Sequence, residues 1–314
     1  MSGVTLTAGW SFSGGFTFTP PPPPPSENTA AWFVGGNPGP LSTVSRITYA
    51  TDTATASVRG PLGSARYSLA AAGNFTDGWF GGGLPGPVST VDRITYATDT
   101  ATASVRGPLS AARYYLAAVG NSDYGWFGGG TGPVSTVARI TYATDTATAS
   151  VRGPLSAARQ RLAAVGNTDY AWFGGGIPGP KSTVDRITYA TDTATASVRG
   201  PLSAGRYSLA AAGNLTDGWF GGGTVSFPSV NSTVQRITYA TDTATASVRG
   251  PLSSARRYLA AAGNSTDGWF GGGYSPPEVS TVNRITYATD TATASVRGPL
   301  SSARRNLAAA GGVQ

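Results

Sequence analysis

The chain has no cysteine and no histidine, and among its 314 residues stand one lysine (Lys181) and two glutamates (Glu27 and Glu278). Without Cys there is neither a disulfide framework nor a reactive thiol, so redox chemistry says nothing about compartment. Without His as well, a Ser-His-Asp triad, a Cys-His pair and most zinc sites are excluded. The chain is therefore expected to carry no catalytic residue, no metal and no cofactor. Charged residues of all kinds make up 12%, about half the usual share. No run approaches the roughly 18 apolar residues of a membrane-spanning helix, and Met1 to Trp10 lacks the basic end and apolar centre of a signal peptide. A soluble chain made in a cytosol, without membrane insertion, is expected.

What is abundant is repetition. The stretch RITYATDTATASVRGPL begins at Arg46, Arg93, Arg139, Arg186, Arg236 and Arg284, with spacings of 47, 46, 47, 50 and 48 residues. Trp-Phe followed by glycine keeps the same step at Trp32, Trp79, Trp126, Trp172, Trp219 and Trp269. A period of this size is the mark of propellers and repeat arrays. With 44 Gly and 22 Pro the turns are frequent, and the 40% of hydrophobic residues recur on schedule, unlike a disordered chain. The net charge of +7 comes from arginines at fixed places in the repeat. A nucleic-acid binder clusters its cations on one element, so no nucleic-acid partner is expected.

Residues 1–19 alternate apolar or aromatic with small polar residues (Val4, Leu6, Trp10, then Phe16 and Phe18), a period that suits an extended strand. Pro20 to Pro25 follow, six prolines that favour a stiff polyproline spacer of about 3 Å per residue. We read 1–19 as an anchor, 20–31 as a linker and 32–314 as the repeat body. The alternative is a disordered tail with a proline-rich recognition motif.

Each unit resolves into four short strands. In one of them these are Leu69 to Gly73, Trp79 to Gly83, Ser89 to Thr98 and Thr100 to Val105, with a hairpin turn at Asp77-Gly78 and a corner at Asp99. Val91 points to one face of the third strand, Ile94 and Tyr96 to the other, as in a sheet sandwiched between two sheets. Ala101, Thr102 and Ala103 are expected to keep the sheet thin, and the small Leu-Ala-Ala-Ala-Gly strand to lie nearest an axis. The first unit opens at Trp32 without such a strand, and the last stops after Leu307 to Gly311 without a following Trp-Phe. The two gaps fit each other. The expected fold is an all-β, six-bladed β-propeller with four strands per blade, closed by pairing of the C-terminal strand with the first blade, plus an N-terminal extended tether. An open solenoid would want atypical caps at both ends.

Arg113-x-x-Leu-Ala-Ala, Trp126-Phe127-Gly128-Gly129 and Tyr142 resemble the arginine, diglycine and tyrosine of the kelch repeat, over roughly residues 32–314. Kelch units carry a tryptophan a few residues past that tyrosine, where this chain has Ala147 to Ala149. The aromatic filler has moved to the second strand. The unit is also similar to kelch-like segments in virion proteins of tailed phages that infect marine cyanobacteria, and GGFTFTPPPP is similar to the N-termini of such proteins. Near-identity of the copies equally suits a designed or recently duplicated array. Kelch-like folds can host copper oxidases, whose Tyr, His and Cys ligands are two-thirds missing here.

Other signals weigh less. The repeated Asp52, Asp99, Asp145, Asp192, Asp242 and Asp290 read as corner residues accepting turn hydrogen bonds, since a sixfold acid makes six equivalent sites. The Arg46 and Arg59 sets are expected to pair with those acids or to cap carbonyls. The Trp-Phe pairs read as packing between blades, with sugar stacking as the minority reading. Asn74, Asn214, Asn231 and Asn264 head glycosylation triplets that we take as chance.

The strands repeat almost letter for letter, whereas the connection after each glycine run varies: 37–41, 84–88, 131–134, 177–181, 224–231 and 274–279. A rigid scaffold with diversified loops is how binding surfaces are built. The candidate ligand-binding residues on this rim are Asn37, Leu84, Thr131, Lys181, Phe227 and Tyr274. What the resemblance implies is a non-enzymatic virion structural or adhesion protein of tail fibre, spike or decoration type, located in the virion. Residues 1–25 would bind other virion proteins, with Val4, Leu6, Trp10, Phe16 and Phe18 anchoring, and the rim would touch host-surface glycan or protein. The alternative is a cellular kelch-type adaptor or lectin-like module.

Overall fold

The computed structural model describes residues 28–311. The expected anchor (Val4, Leu6, Trp10, Phe16, Phe18) and proline spacer lie outside the described residues. Within them the chain forms six four-stranded antiparallel sheets. Blade 2 is typical: Ala70–Gly73 innermost, then Asp77–Gly81, Val91–Thr95 and Ser104–Arg106 outermost. Inner strands of successive blades touch one another all the way round, which makes the molecule a six-bladed propeller. Blade 1 is composite: Ala308–Ala310 pairs with Ala30–Val34, placing Trp32 opposite Ala310 and Val34 opposite Ala308. The closure expected from the two incomplete ends is the one observed.

The strands are shorter than the sequence pattern implies. The third strand ends at Thr95 and not Thr98, because Tyr96–Thr98 turns into a single 3-10 turn. That turn swings the Tyr96 ring onto Trp32 of the preceding blade, stacked at 3.8 Å and 8°. The fourth strand is Ser104–Arg106, not Thr100 to Val105. The Ala101 to Ala103 segment lies outside the sheet, packed on the preceding connector, where the Ala103 N–H donates to the Pro61 carbonyl at 2.8 Å. A Cβ on Gly60 would stand 1.9 Å from the Ala101 carbonyl oxygen, so the close approach of blades expected from small residues occurs at this corner. The inner hairpin also turns earlier than Asp77-Gly78. Asn74 Oδ1 accepts the backbone N–H groups of Thr76 and Asp77, both at 2.9 Å, and Asp77 already belongs to the second strand.

The core sits between blades. Trp79 faces forward into blade 3, stacked on Tyr142 at 3.7 Å, while Phe80 packs backward with Trp32, Val34 and Val44. A Cβ on Gly81 would meet the Phe127 ring at 2.9 Å, so glycine there lets the next blade's phenylalanine seat. Replacing one such tryptophan by alanine is expected to cost about 3–5 kcal/mol.

A carboxylate locks each joint. Asp99 Oδ2 accepts from Trp32 Nε1 at 2.8 Å and faces Arg46 at 3.1 Å and Arg59 at 3.5 Å, all three from the preceding blade. The arrangement recurs around the ring, ending with Trp269 and Asp52. The expected Arg46–Asp pairing is correct. The expected role of the Asp is not: its side chain bridges blades, because the corner delivers it to the neighbouring indole and guanidinium groups.

A second arginine set is buried under the opposite rim. Arg66 donates to the carbonyls of Gly82 and Thr90 at 2.9 and 2.8 Å and pairs with Asp92. Arg159 pairs likewise with Asp185. Burial pushes both arginines down, opposed by the facing carboxylate. At the position of Asp92 the other blades carry Ser45, Ala138, Gln235 and Asn283. Desolvation pulls Arg113, Arg206, Arg256 and Arg304, which face no carboxylate, down to about 10.

Candidate functional site

The variable loops and the connectors that follow the outer strands lie on one face and interlock there. The connector residues Arg66 and Tyr67 sit between two loops: the Arg66 N–H donates to Leu41 O at 2.9 Å, and the Leu84 N–H donates to Tyr67 O at 2.9 Å. Around the ring, the connector position equivalent to Tyr67 is Tyr114, Gln160, Tyr207, Arg257 and Arg305.

One residue further in, the backbone turns left-handed. Ser68, Tyr115, Arg161, Ser208, Tyr258 and Asn306 have φ between 55° and 60°. The N–H of each donates to the carbonyl of the equivalent residue in the neighbouring blade, at 2.7 to 2.9 Å, from Ser68 onto Asn306 round to Asn306 onto Tyr258. The six bonds close a circle about the axis. Left-handed backbone at a non-glycine residue costs about 1–2 kcal/mol, and this circle holds all six there. Their side chains line an axial mouth of about 100 Å³, floored by Leu69 and its five equivalents. A second axial cavity of about 100 Å³ is lined by the Ala and Gly residues of the inner strands.

The structure brings the rim candidates to this face but ties most of them by their backbones. The Asn37 N–H donates to Arg305 O at 2.8 Å, Thr131 to Tyr114 O through both N and Oγ1 at 2.9 Å, and Tyr274 to Arg257 O at 2.7 Å. Lys181 accepts from the Arg206 N–H at 2.9 Å. Phe227 differs from these, with 71% of its surface exposed. In blade 5 the pinned position belongs to the buried Thr224.

The residues missed by sequence reasoning are Tyr115, Arg161, Arg257, Tyr258 and Arg305. They build an asymmetric strip on the sixfold face. The Arg161 guanidinium lies 4.4 Å from the Tyr115 ring and 5.6 Å from that of Tyr258, and its Nη1 donates to the Tyr258 hydroxyl at 3.1 Å. Arg257 lies 5.0 Å from Phe227, 5.3 Å from Tyr258 and 5.4 Å from Tyr274. Arg305 lies 4.6 Å from Tyr274 and pairs with Glu278 at 3.3 Å. Glu278 is the only carboxylate in the six loops and six connectors. The signal was present in the two residues before each Leu-Ala-Ala, which vary as Tyr-Ser, Tyr-Tyr, Gln-Arg, Tyr-Ser, Arg-Tyr and Arg-Asn.

On the opposite face, clefts of roughly 390 to 470 Å³ separate neighbouring blades, such as the one lined by Asp77, Arg93, Asp123 and Tyr124. Among the described residues no group of three or more His, Cys, Asp or Glu is placed to hold a metal. No helix among them is long and apolar enough to cross a membrane.

No family model matches the chain, and no curated protein sequence does. Solved structures do share its architecture. One of them, YjhT, superposes with a TM-score of 0.66 over 79% of this chain and 88% of its own, at 11% identity. At that identity the likeness shows the fold alone: this chain is a β-propeller.

Proposed function

We propose that the chain is a non-enzymatic adhesion module of a phage virion, displayed from its N-terminal segment and touching the host surface through the tyrosine and arginine face. The observation that carries the binding reading is where variation falls: strands are copied almost unchanged, while the loops and the left-handed ring on one face differ from blade to blade. Tyr and Arg are the residues that dominate binding energy at protein surfaces. Here rigid backbone holds them, which lowers the ordering cost of binding. The virion assignment rests on the resemblance of the repeat and leader to phage virion segments, and the kelch affiliation on the placing of arginine, diglycine and tyrosine. No turnover of a saccharide substrate is expected.

The test is attachment. Purified virions should contain the chain, and removal of residues 1–25 should release it from the particle while the isolated propeller still binds host cells. A propeller that binds no host cell, or a chain absent from virions, overturns this reading. Tyr and Arg enrichment also suits a protein partner, so the second reading is a cellular adaptor, which would keep its partner after that truncation.

A further inference from the structure

We infer that the sector between blades 5 and 6 receives an acidic saccharide, a uronate or sulfated sugar, whose oxyanion is taken by Arg257; this rests on the host-attachment reading above. Arg257 is 8% exposed, and its Nε and Nη1 are buried without a hydrogen-bond partner. The residues described offer it no ion pair, since Glu278 is drawn to Arg305. The rings of Phe227, Tyr258 and Tyr274 fix the guanidinium and favour its charge. They do not replace oxygen acceptors for its N–H donors.

The scaffold does not require this cation. Tyr67, Tyr114, Gln160 and Tyr207 occupy the same position in four blades without charge. The charge appears where the flanking loops also depart from the rest: 224–231 is the longest of the six and supplies the exposed Phe227. An exposed ring beside a guanidinium without a carboxylate partner offers what an acidic pyranose needs, a face to stack on and a cation for its anion.

Other polyanions fit less well. A nucleic-acid backbone requires a track of cations, whereas most arginines of this chain are spent on internal carboxylates and carbonyls. An acidic peptide is read by a cluster of arginines, whereas here Arg305 is already paired with Glu278 and Arg257 stands alone among rings.

The experiment is affinity electrophoresis of the full chain through gels holding polygalacturonate, a sulfated galactan or neutral dextran, with oligo-dT and polyglutamate as competitors. Retardation by an acidic polymer and not by dextran is expected, and the two acidic gels tell carboxylate from sulfate. Arg257→Gln should weaken it by roughly tenfold or more, the effect of losing charge-assisted hydrogen bonds. Phe227→Ala, on an exposed side chain that leaves folding intact, should weaken it also, and Arg257→Lys should retain part. Acidic-polymer binding unchanged in both Arg257→Gln and Phe227→Ala, or displacement by oligo-dT or polyglutamate, overturns the inference. Dextran binding that Arg257→Gln leaves untouched overturns it while keeping the adhesion reading. Failure to bind any glycan or host cell removes the adhesion reading itself.

Discussion

The Trp269 indole donates from Nε1 to Asp52 Oδ2 at 2.8 Å, across the seam where the sixth blade meets the composite first. The same bond joins Trp79 to Asp145 at 2.9 Å inside the array. The seam is therefore built like every other joint.

Asp52→Asn leaves Arg284 and Arg297 facing an uncharged group. Breaking a buried pair in this way should cost about 3 kcal/mol, and Asp145→Asn should cost the same. Trp269→Phe, which removes the donor and keeps most of the packing, should cost about 1–2 kcal/mol. Urea denaturation measures all three. A much larger loss for Asp52→Asn than for Asp145→Asn would show that the seam is a weak joint.

Ala138→Asp should stabilise the protein. In blade 4, Asp185 accepts from Ser156 N and Oγ and pairs with Arg159 at 2.6 Å. In blade 3 the equivalent position is Ala138, and the Ser110 hydroxyl is buried without a partner. A carboxylate there answers Ser110 and the uncompensated Arg113 together. The gain should be about 1–2 kcal/mol, the cost of two unsatisfied buried groups less that of desolvating the new charge. A fall in melting temperature would refute it.

Stability should fall as pH rises past about 10. Burial holds the hydroxyls of Tyr96, Tyr142, Tyr189, Tyr239 and Tyr287 protonated well above their usual 10.0. The unfolded chain loses those protons near 10, the folded chain keeps them, and stability drops with each further step. The arginines drawn down to about 10 act oppositely, because there the unfolded chain keeps protons that the folded one sheds. Arg66 and Arg159 are drawn down as well, but a guanidinium gives up its proton far less readily than a phenol does, so the five tyrosines prevail. Phenolate absorbance and circular dichroism followed together should show these five ionising only as the sheets are lost. Ionisation of all tyrosines before unfolding would contradict this.

Much of the fold was legible because repetition averages away local ambiguity. One copy of Leu-Ala-Ala-Ala-Gly is a weak strand signal, but six at a constant step, with one displaced to the C-terminus, specify both blade count and closure. The strand ends were not legible. Tyr96 continues the alternating pattern, and only the presence of Trp32 on the preceding blade draws it out of register into a turn. Asp99 likewise reads as a turn acceptor within its own segment, since its partners lie 67 and 53 residues away.

The binding face divides in the same manner. Loop variation pointed to Phe227 and Tyr274, yet the Arg257 between them looked like one more repeat arginine.

By itself the sequence determined that six near-identical β units close on themselves, because periodic apolar residues must be buried against copies of their own kind. The tertiary structure alone decided which arginines are spent on carboxylates and which stand unpaired among rings. Pairing depends on distances across blade joints, and residues far apart in the chain set those distances.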